Sequence, residues 1–279
     1  MTDTVPETTI DAAPVAATKP AKKEDSFPVF VLKLALVVVL FRSLIFAPFY
    51  IPSESMLPRL LNGDYLLLAK WPYGFSRKSL PFGVPLLPES RVLASNPERG
   101  DVVVFKAPPA GEQDWIKRVI GLPGDTVQMK GGQLWLNNQP IPKVRIADFE
   151  VAVSPNTRCL TSQFMAKRAD GTDVCKYPRF TETLPGGESY QVLDLGERSK
   201  DTTEPYIVPQ GSVFLMGDNR DNSEDSRFTT DEGGIGIVPI DNLLGRATVM
   251  MWSTDGSAEW LKPWTWFSAA RWDRIGGTF

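Results

Sequence analysis

The chain has 279 residues, of which 42% are hydrophobic and 23% charged, enough apolar side chain for one sizeable core or two small ones, so neither disorder nor a disulfide-stapled miniprotein fits. It contains no histidine and only two cysteines, which excludes Ser-His-Asp triads, Cys-His dyads, histidine-ligated metals, four-thiolate zinc sites and iron–sulfur clusters. A formal net charge of −3 lacks the basic excess that phosphate-backbone binding needs, so no nucleic-acid partner is expected.

Residues 1–26 are rich in Ala, Thr, Pro, Lys and acidic residues without apolar periodicity, and are expected to form a solvated tail. From Phe27 to Ala47 the composition switches to 17 apolar residues in 21, a length suited to a bilayer. Lys33 and Arg42 interrupt this stretch. Each would cost about 2.5 to 3.5 kcal/mol at mid-membrane, whereas each Leu, Ile, Val or Phe returns roughly 0.3 to 0.6 kcal/mol. Both cations lie towards the ends, where their heads can snorkel to an interface, so a transmembrane helix over 27–47 is predicted in preference to a buried core helix. A cleaved signal peptide fits less well, because the preceding polar region is long and Ile45-Phe46-Ala47-Pro48 lacks the small residues of a cleavage site. Lys19, Lys22 and Lys23 precede the span and favour an N-terminus inside, which would put everything after Pro48 outside the cytoplasm.

The remainder reads as mostly β. Tyr65–Leu68, Val102–Phe105, Trp115-Ile116 with Val119-Ile120, and Val213–Met216 are strand-length apolar runs bounded by Gly, Pro or Asp. Gly63-Asp64, Gly100-Asp101 and Gly124-Asp125 each open such a run as a turn. Gln128–Ile141 is expected to form hairpin arms turning at Gly131-Gly132 and Asn137-Asn138. Residues 48–142 and 211–255 are assigned to a β core, and the polar, loop-rich stretch 143–210 to a subdomain inserted in it. Cys159 and Cys175 fall in the insertion, where they either close a loop worth about 3 kcal/mol in an oxidising compartment or remain two thiols. Five of the eight tryptophans, Trp252, Trp260, Trp264, Trp266 and Trp272, lie at the end of the chain, around a terminal segment taken as 256–279. They suit either a membrane surface or ordinary core packing.

Three segments offer chemistry. In Ile51-Pro-Ser-Glu-Ser-Met-Leu-Pro58, two prolines hold Ser53 and Ser55 in a stiff, non-helical turn, which alone is an ordinary feature of turns. In Asp114–Asp125 a lysine interrupts an apolar strand, with Trp115, Lys117 and Val119 on one face by period-2 alternation. Burial lowers a lysine pKa by as much as about 3 to 5 units, enough to leave a free amine that can take a proton from a serine hydroxyl. The competing reading is an edge-strand lysine snorkelling to water, with Arg118 doing the same on the other face. The third segment, Gly217–Phe228, is dense in hydroxyls, carboxylates and guanidinia. It lacks the glycine and terminal glutamate of an EF-hand, so a metal is not expected there, and no cofactor is expected anywhere.

Taken together and in this order behind a membrane span, Pro-Ser-x-Ser-Met-x-Pro, the strand-borne Lys-Arg-Val-Ile-Gly-Leu-Pro-Gly-Asp and Gly-Asp-Asn-x-x-x-Ser-x-Asp-Ser-Arg resemble the type I signal peptidases, from the anchor to about Arg246. The resemblance implies a mostly β catalytic core with a smaller inserted β subdomain. It also implies Ser55 as nucleophile and Lys117 as general base, with Ser53 joining the Ser55 backbone N–H in an oxyanion hole. Ser223 then matches the hydroxyl that orients the lysine, and Asp225 with Arg227 a supporting ion pair. Ile51, Pro52, Met56 and Trp115 are assigned to the substrate pocket. The implied partners are signal peptides of secretory preproteins and the lipid bilayer, at a bacterial inner membrane with the catalytic part on the periplasmic side. No motif specifies an oligomeric state. Arg59 stands where a threonine is frequent, Trp115 where tyrosine is frequent, and one span is found where some members have two. The competing functions are a related serine–lysine processing peptidase and a non-enzymatic membrane-tethered binding protein.

Overall fold

The computed structural model describes residues 26–77, 85, 87–88, 91–259 and 261–279. The expected tail, apart from Ser26, and Trp260 lie outside the described residues. Helix α1, Phe27–Leu44, is long and apolar enough to cross a membrane and spans about 27 Å at 1.5 Å per residue. It stops short of the expected end at Ala47. Phe46–Tyr50 instead forms strand β1, whose Phe46 and Ala47 pair with Ala69 and Leu68. Pro48 explains the change, since the residue before a proline is driven out of helical dihedrals, and the edge ladder of β2 takes up the extended chain.

From Val38 onwards the chain forms one compact unit. Its strands are β1, β2 (Asp64–Ala69), β3 (Val102–Lys106), β4 (Asp114–Gly121), β5 (Thr126–Lys130), β6 (Gln133–Leu136), β7 (Gln139–Pro140) and β8 (Lys143–Ala152). These are followed by β9 (Met165–Lys167), β10 (Asp173–Thr183), β11 (Ser189–Leu193), β12 (Tyr206–Ile207), β13 (Ser212–Met216), β14 (Val238–Pro239) and β15 (Leu243–Ser253). A short helix α2, Trp264–Ala269, lies near the end. All the ladders between these strands are antiparallel, in a seven-stranded sheet β1-β2-β15-β3-β4-β13-β14 and two four-stranded sheets, β11-β10-β8 with β9 on β10, and β12-β5-β6-β7.

The central strands β3, β4 and β13 of the large sheet are buried on both faces over most of their length, which explains why they read as continuous apolar runs rather than alternating ones. One face sets Val102, Val104 and Ile116 against Leu66, Met56 and Ile51, and the other sets Val103, Phe105 and Val119 against Leu215, Val238 and Leu243. The hairpin sheet packs Val127, Met129 and Leu134 against Ile120, Phe214 and Met216. Its turns fall where the sequence places them: Gly131 and Gly132 have φ of 56° and 75°, Asn137 and Asn138 of 51° and 63°, the left-handed dihedrals of a tight hairpin. Within β8–β11, Cys159 and Cys175 are joined as a disulfide beside a cluster of Val151, Phe164, Tyr177 and Leu193. That cluster also receives Leu57 and Leu61, so the turn carrying Ser55 rests partly on the cross-linked sheet.

Candidate active site

The turn after β1 begins where Ile51 N–H donates to Asp64 C=O at 2.8 Å. Its apolar residues divide between two cores, Ile51, Met56 and Leu60 into one, Leu57 and Leu61 into the other. Leu57 N–H donates to Glu54 C=O at 3.1 Å and Leu60 N–H to Met56 C=O at 2.9 Å, closing the backbone around Ser55. The consequence is that Ser55 is held at the floor of a cleft while Pro52 and Ser53 stay exposed.

Lys117 approaches from β4. Lys117 pairs with Val103 on β3, while β13 pairs with β4 only from Arg118 onwards, so Lys117 stands at a locally open edge of the strand, as the competing reading has it, but its side chain is turned inward and does not reach water. Lys117 is 3% exposed, and its Nζ stands 2.9 Å from Ser55 Oγ and 3.1 Å from the Ile116 carbonyl oxygen. Burial lowers its pKa from the ordinary 10.5 to about 8, against the opposing pull of Asp225, Glu224 and Asp218. The Trp115 ring lies on the same face, its centroid 5.3 Å from Nζ.

The cleft has a volume of about 890 Å³ and includes Ser53, Ser55, Trp115, Lys117 and Ser223 in its walls. Pro52 also lines it. Ile51 and Met56 do not: both are fully buried in the sheet core, because the turn points its apolar side chains inward and only its polar ones at the cleft. Phe49, Phe228, Gln113, Glu54 and Asp221 line it instead, and none of these was singled out from sequence. Phe49 and Gln113 flank segments that were; the others lie inside them and carried no distinguishing signal of their own. Ser53 Oγ lies 3.4 Å from Ser55 Oγ.

The segment after β13 closes the far wall. Asp225 is fully buried, and its carboxylate accepts from Arg227 Nε and Nη2, both at 2.9 Å, and from Gly217 N–H at 3.0 Å. Burial would raise its pKa, but the Arg227 guanidinium and these donors outweigh burial and hold it below the ordinary aspartate value. Asn219 was not singled out, yet its N–H donates to Ser55 C=O at 3.0 Å and its Nδ2 to Glu54 C=O at 3.1 Å, tying this segment to the serine turn. Gly217 makes that approach possible, since a Cβ there would fall 2.2 Å from Ser223 Oγ and 2.6 Å from Ser55 O. Ser223 is brought into the cleft wall, but its Oγ has no hydrogen-bond partner among the described residues, so the expected bond to Lys117 is not made. The amine instead turns towards Ser55 and the Ile116 carbonyl.

Beneath this wall lies a second set of buried charges. Arg118 donates twice to Asp218, at 2.8 and 2.7 Å, and once to Gly100 C=O at 2.7 Å, over the Tyr190 ring. Arg220 donates to both Glu182 oxygens at 2.8 and 2.6 Å, and the Tyr190 hydroxyl donates to Glu182 at 2.7 Å. Arg118 is thus not a snorkelling residue. Glu182 and Tyr190, on β10 and β11, connect the small sheet to the segment that walls the cleft. Among the described residues no three His, Cys, Asp or Glu side chains are grouped to hold a metal ion. A buried amine beside a serine hydroxyl, with no imidazole, can deprotonate that hydroxyl only in the amine's neutral form.

The family model described as signal peptidase, peptidase S26, matches residues 25–252. The chain is 36% identical over 245 residues to Signal peptidase I of Rickettsia typhi (strain ATCC VR-144 / Wilmington), covering 85% of this chain and 82% of the relative. It is 35% identical over 248 residues to Signal peptidase I of Rickettsia prowazekii (strain Madrid E), covering 86% and 83%. A crystal structure of a signal peptidase I from Enterococcus faecalis V583 is 22% identical, covers 55% of this chain and 97% of its own, and has a TM-score of 0.28. The chain belongs to the signal peptidase family, peptidase S26, and is a serine peptidase.

Proposed function

We propose that this peptidase removes N-terminal signal peptides from exported preproteins, with Ser55 as nucleophile and Lys117 as its general base. The observation that carries this reading is the 2.9 Å separation of Lys117 Nζ from Ser55 Oγ at the floor of the cleft. The neutral amine accepts the Ser55 proton as the oxygen attacks the scissile carbonyl. The Ser53 hydroxyl and the Ser55 N–H stabilise the oxyanion, and the protonated amine then gives its proton to the leaving amino group. Lys117 next takes a proton from water, which hydrolyses the acyl-enzyme. Asp225 with Arg227 fixes the wall opposite the amine, and Ser223 offers it a hydroxyl within the same cleft.

Residues 114–117 of β4 have a strand neighbour on the β3 side alone among the described residues, because β13 pairs only from Arg118 onwards. An extended substrate can add to that open edge, placing alternate side chains beside Trp115 and Pro52. In this reading α1 anchors the enzyme, with the N-terminus cytoplasmic and the catalytic part on the extracytoplasmic side. Exposed Leu261, Trp264, Trp266, Phe267 and Trp272 then meet the lipid surface, a setting that suits indole rings.

Cleavage of a preprotein with an Ala-x-Ala site, in detergent and across pH, tests the reading. Wild type should cut with kcat rising through pH about 8, the pKa of Lys117. Ser55→Ala and Lys117→Ala should each fall by about 10³-fold or more. A wild type that never cuts, or a variant that keeps full activity, would sink it.

A further inference from the structure

The turn that carries Ser55 is closed at its base by a buried acid. Ile51 N–H donates to Asp64 C=O and Gly63 N–H to Ile51 C=O at 3.0 Å, so residues 51–64 leave and rejoin the sheet at one point. Asp64 is 0% exposed. An anion withdrawn from water in this way needs a counter-charge and several donors. Leu61 N–H donates to it at 2.7 Å and Ser253 Oγ at 2.6 Å. The paired cation is Arg274, whose Nε and Nη2 reach the two carboxylate oxygens at 3.1 and 2.5 Å from 210 positions away.

Arg274 lies outside the stretch 25–252 that the family model matches. Its Nη2 also donates to Arg59 C=O at 2.9 Å, and Arg271 Nη1 donates to Asn62 C=O at 2.9 Å. The segment that brings them is fastened to β15, with Gly276 N–H donating to Met250 C=O and Met250 N–H to Gly277 C=O, each at 2.8 Å. The end of the chain therefore grips the returning half of the serine turn, residues 59–64. From there hydrogen bonds run back towards the nucleophile: Leu61 N–H to the Asp64 carboxylate, Leu60 N–H to Met56 C=O, and Leu57 N–H to Glu54 C=O. Lys117 is held by its ladder to β3, outside the turn, so the Ser55–Lys117 distance depends on where the turn is held.

We propose that Arg274 is a positioning residue for the Ser55–Lys117 pair, acting through Asp64 and the Arg59 carbonyl to set the height of the serine turn over the lysine. This rests on the assignment of Ser55 and Lys117 as nucleophile and base. Misplacement of a reacting group by about 1 Å can cost about 100-fold, whereas the open β4 edge that would hold substrate is untouched by Arg274.

The test is preprotein cleavage by the full-length enzyme, with kcat and KM measured separately across pH. Arg274→Gln should lower kcat by about 10- to 100-fold with KM within about twofold, and should leave the pH midpoint of kcat where wild type has it. Arg274→Lys, which restores the charge but not the fork, should recover part of the loss. The double variant Asp64→Asn with Arg274→Gln leaves no lone buried anion and guards against simple failure to fold; it too should be folded and slow. Wild-type kcat in folded Arg274→Gln or in the double variant overturns the proposal, as does a rise in KM that accounts for the whole loss. If Ser55→Ala still cleaves, it is the assignment of the nucleophile that fails; if Ser55→Ala is dead and Arg274→Gln is not slowed, only the positioning role fails.

Discussion

The two faces of β4 treat neighbouring cations in opposite ways. On the cleft face Lys117 is buried with, among the described residues, no carboxylate in hydrogen-bond contact, its amine bonding a hydroxyl and a carbonyl, and its pKa falls to about 8. On the other face Arg118 is equally buried but forked onto Asp218, whose charge outweighs burial and raises its pKa. A guanidinium stays charged at any accessible pH, so burying one demands a partner. A lysine can instead be neutralised, and a strand that buries it without a paired anion makes a base. The difference between the faces is thus one between a permanent structural charge and a titratable one.

The largest break in that contrast is Lys117→Arg, which installs a permanent cation on the cleft face. Preprotein cleavage should drop by about 10³-fold or more at every pH, with no recovery in alkali, because the guanidinium cannot accept the Ser55 proton. Next is Asp218→Asn, which leaves Arg118 buried without its counter-charge and should destabilise the fold by about 3 to 5 kcal/mol in urea titrations.

A smaller effect of opposite sign is expected from Lys117→Met. The folded enzyme releases the Lys117 proton near pH 8 and the unfolded chain near 10.5, so between those values the unfolded state binds more protons and stability from this group rises with pH. Below about pH 8 the buried ammonium is a full burden, and Lys117→Met should be inactive yet more stable by about 1 to 3 kcal/mol, a gain that shrinks towards pH 10. Unfolding midpoints at pH 6.5 and 9.5 would reveal it. Smallest is Ser223→Ala: its Oγ is buried without a partner among the described residues, so removing it should raise stability by up to about 1 kcal/mol. A loss of stability would mean that the hydroxyl is bonded in solution.

Much of this was legible beforehand in particular residues. The apolar runs at 65–68, 102–105 and 213–216 became β2, β3 and β13, and the glycine and asparagine pairs became hairpin turns. Lys117 was conspicuous because a cation in an apolar strand is expensive. The pocket was less legible. Ile51 and Met56 flank Ser55 in sequence yet face the core, since a turn distributes its side chains by tertiary packing and not by an alternating rule. The end of α1 was set by a ladder to β2, which no local pattern announces beyond the proline at position 48.

What the sequence determined by itself was the inventory and the local geometry. It held a membrane-length apolar stretch, strand-length apolar runs, a proline-bracketed serine, a strand-borne lysine and no histidine to serve as base. The tertiary structure alone decided the separations: 62 positions between Ser55 and Lys117 reduced to 2.9 Å, and 210 between Asp64 and Arg274 reduced to 2.5 Å. The reason is physical. Periodicity and turn chemistry act over a few residues, whereas the distance between two distant side chains depends on ladder register and core packing, in which every strand takes part.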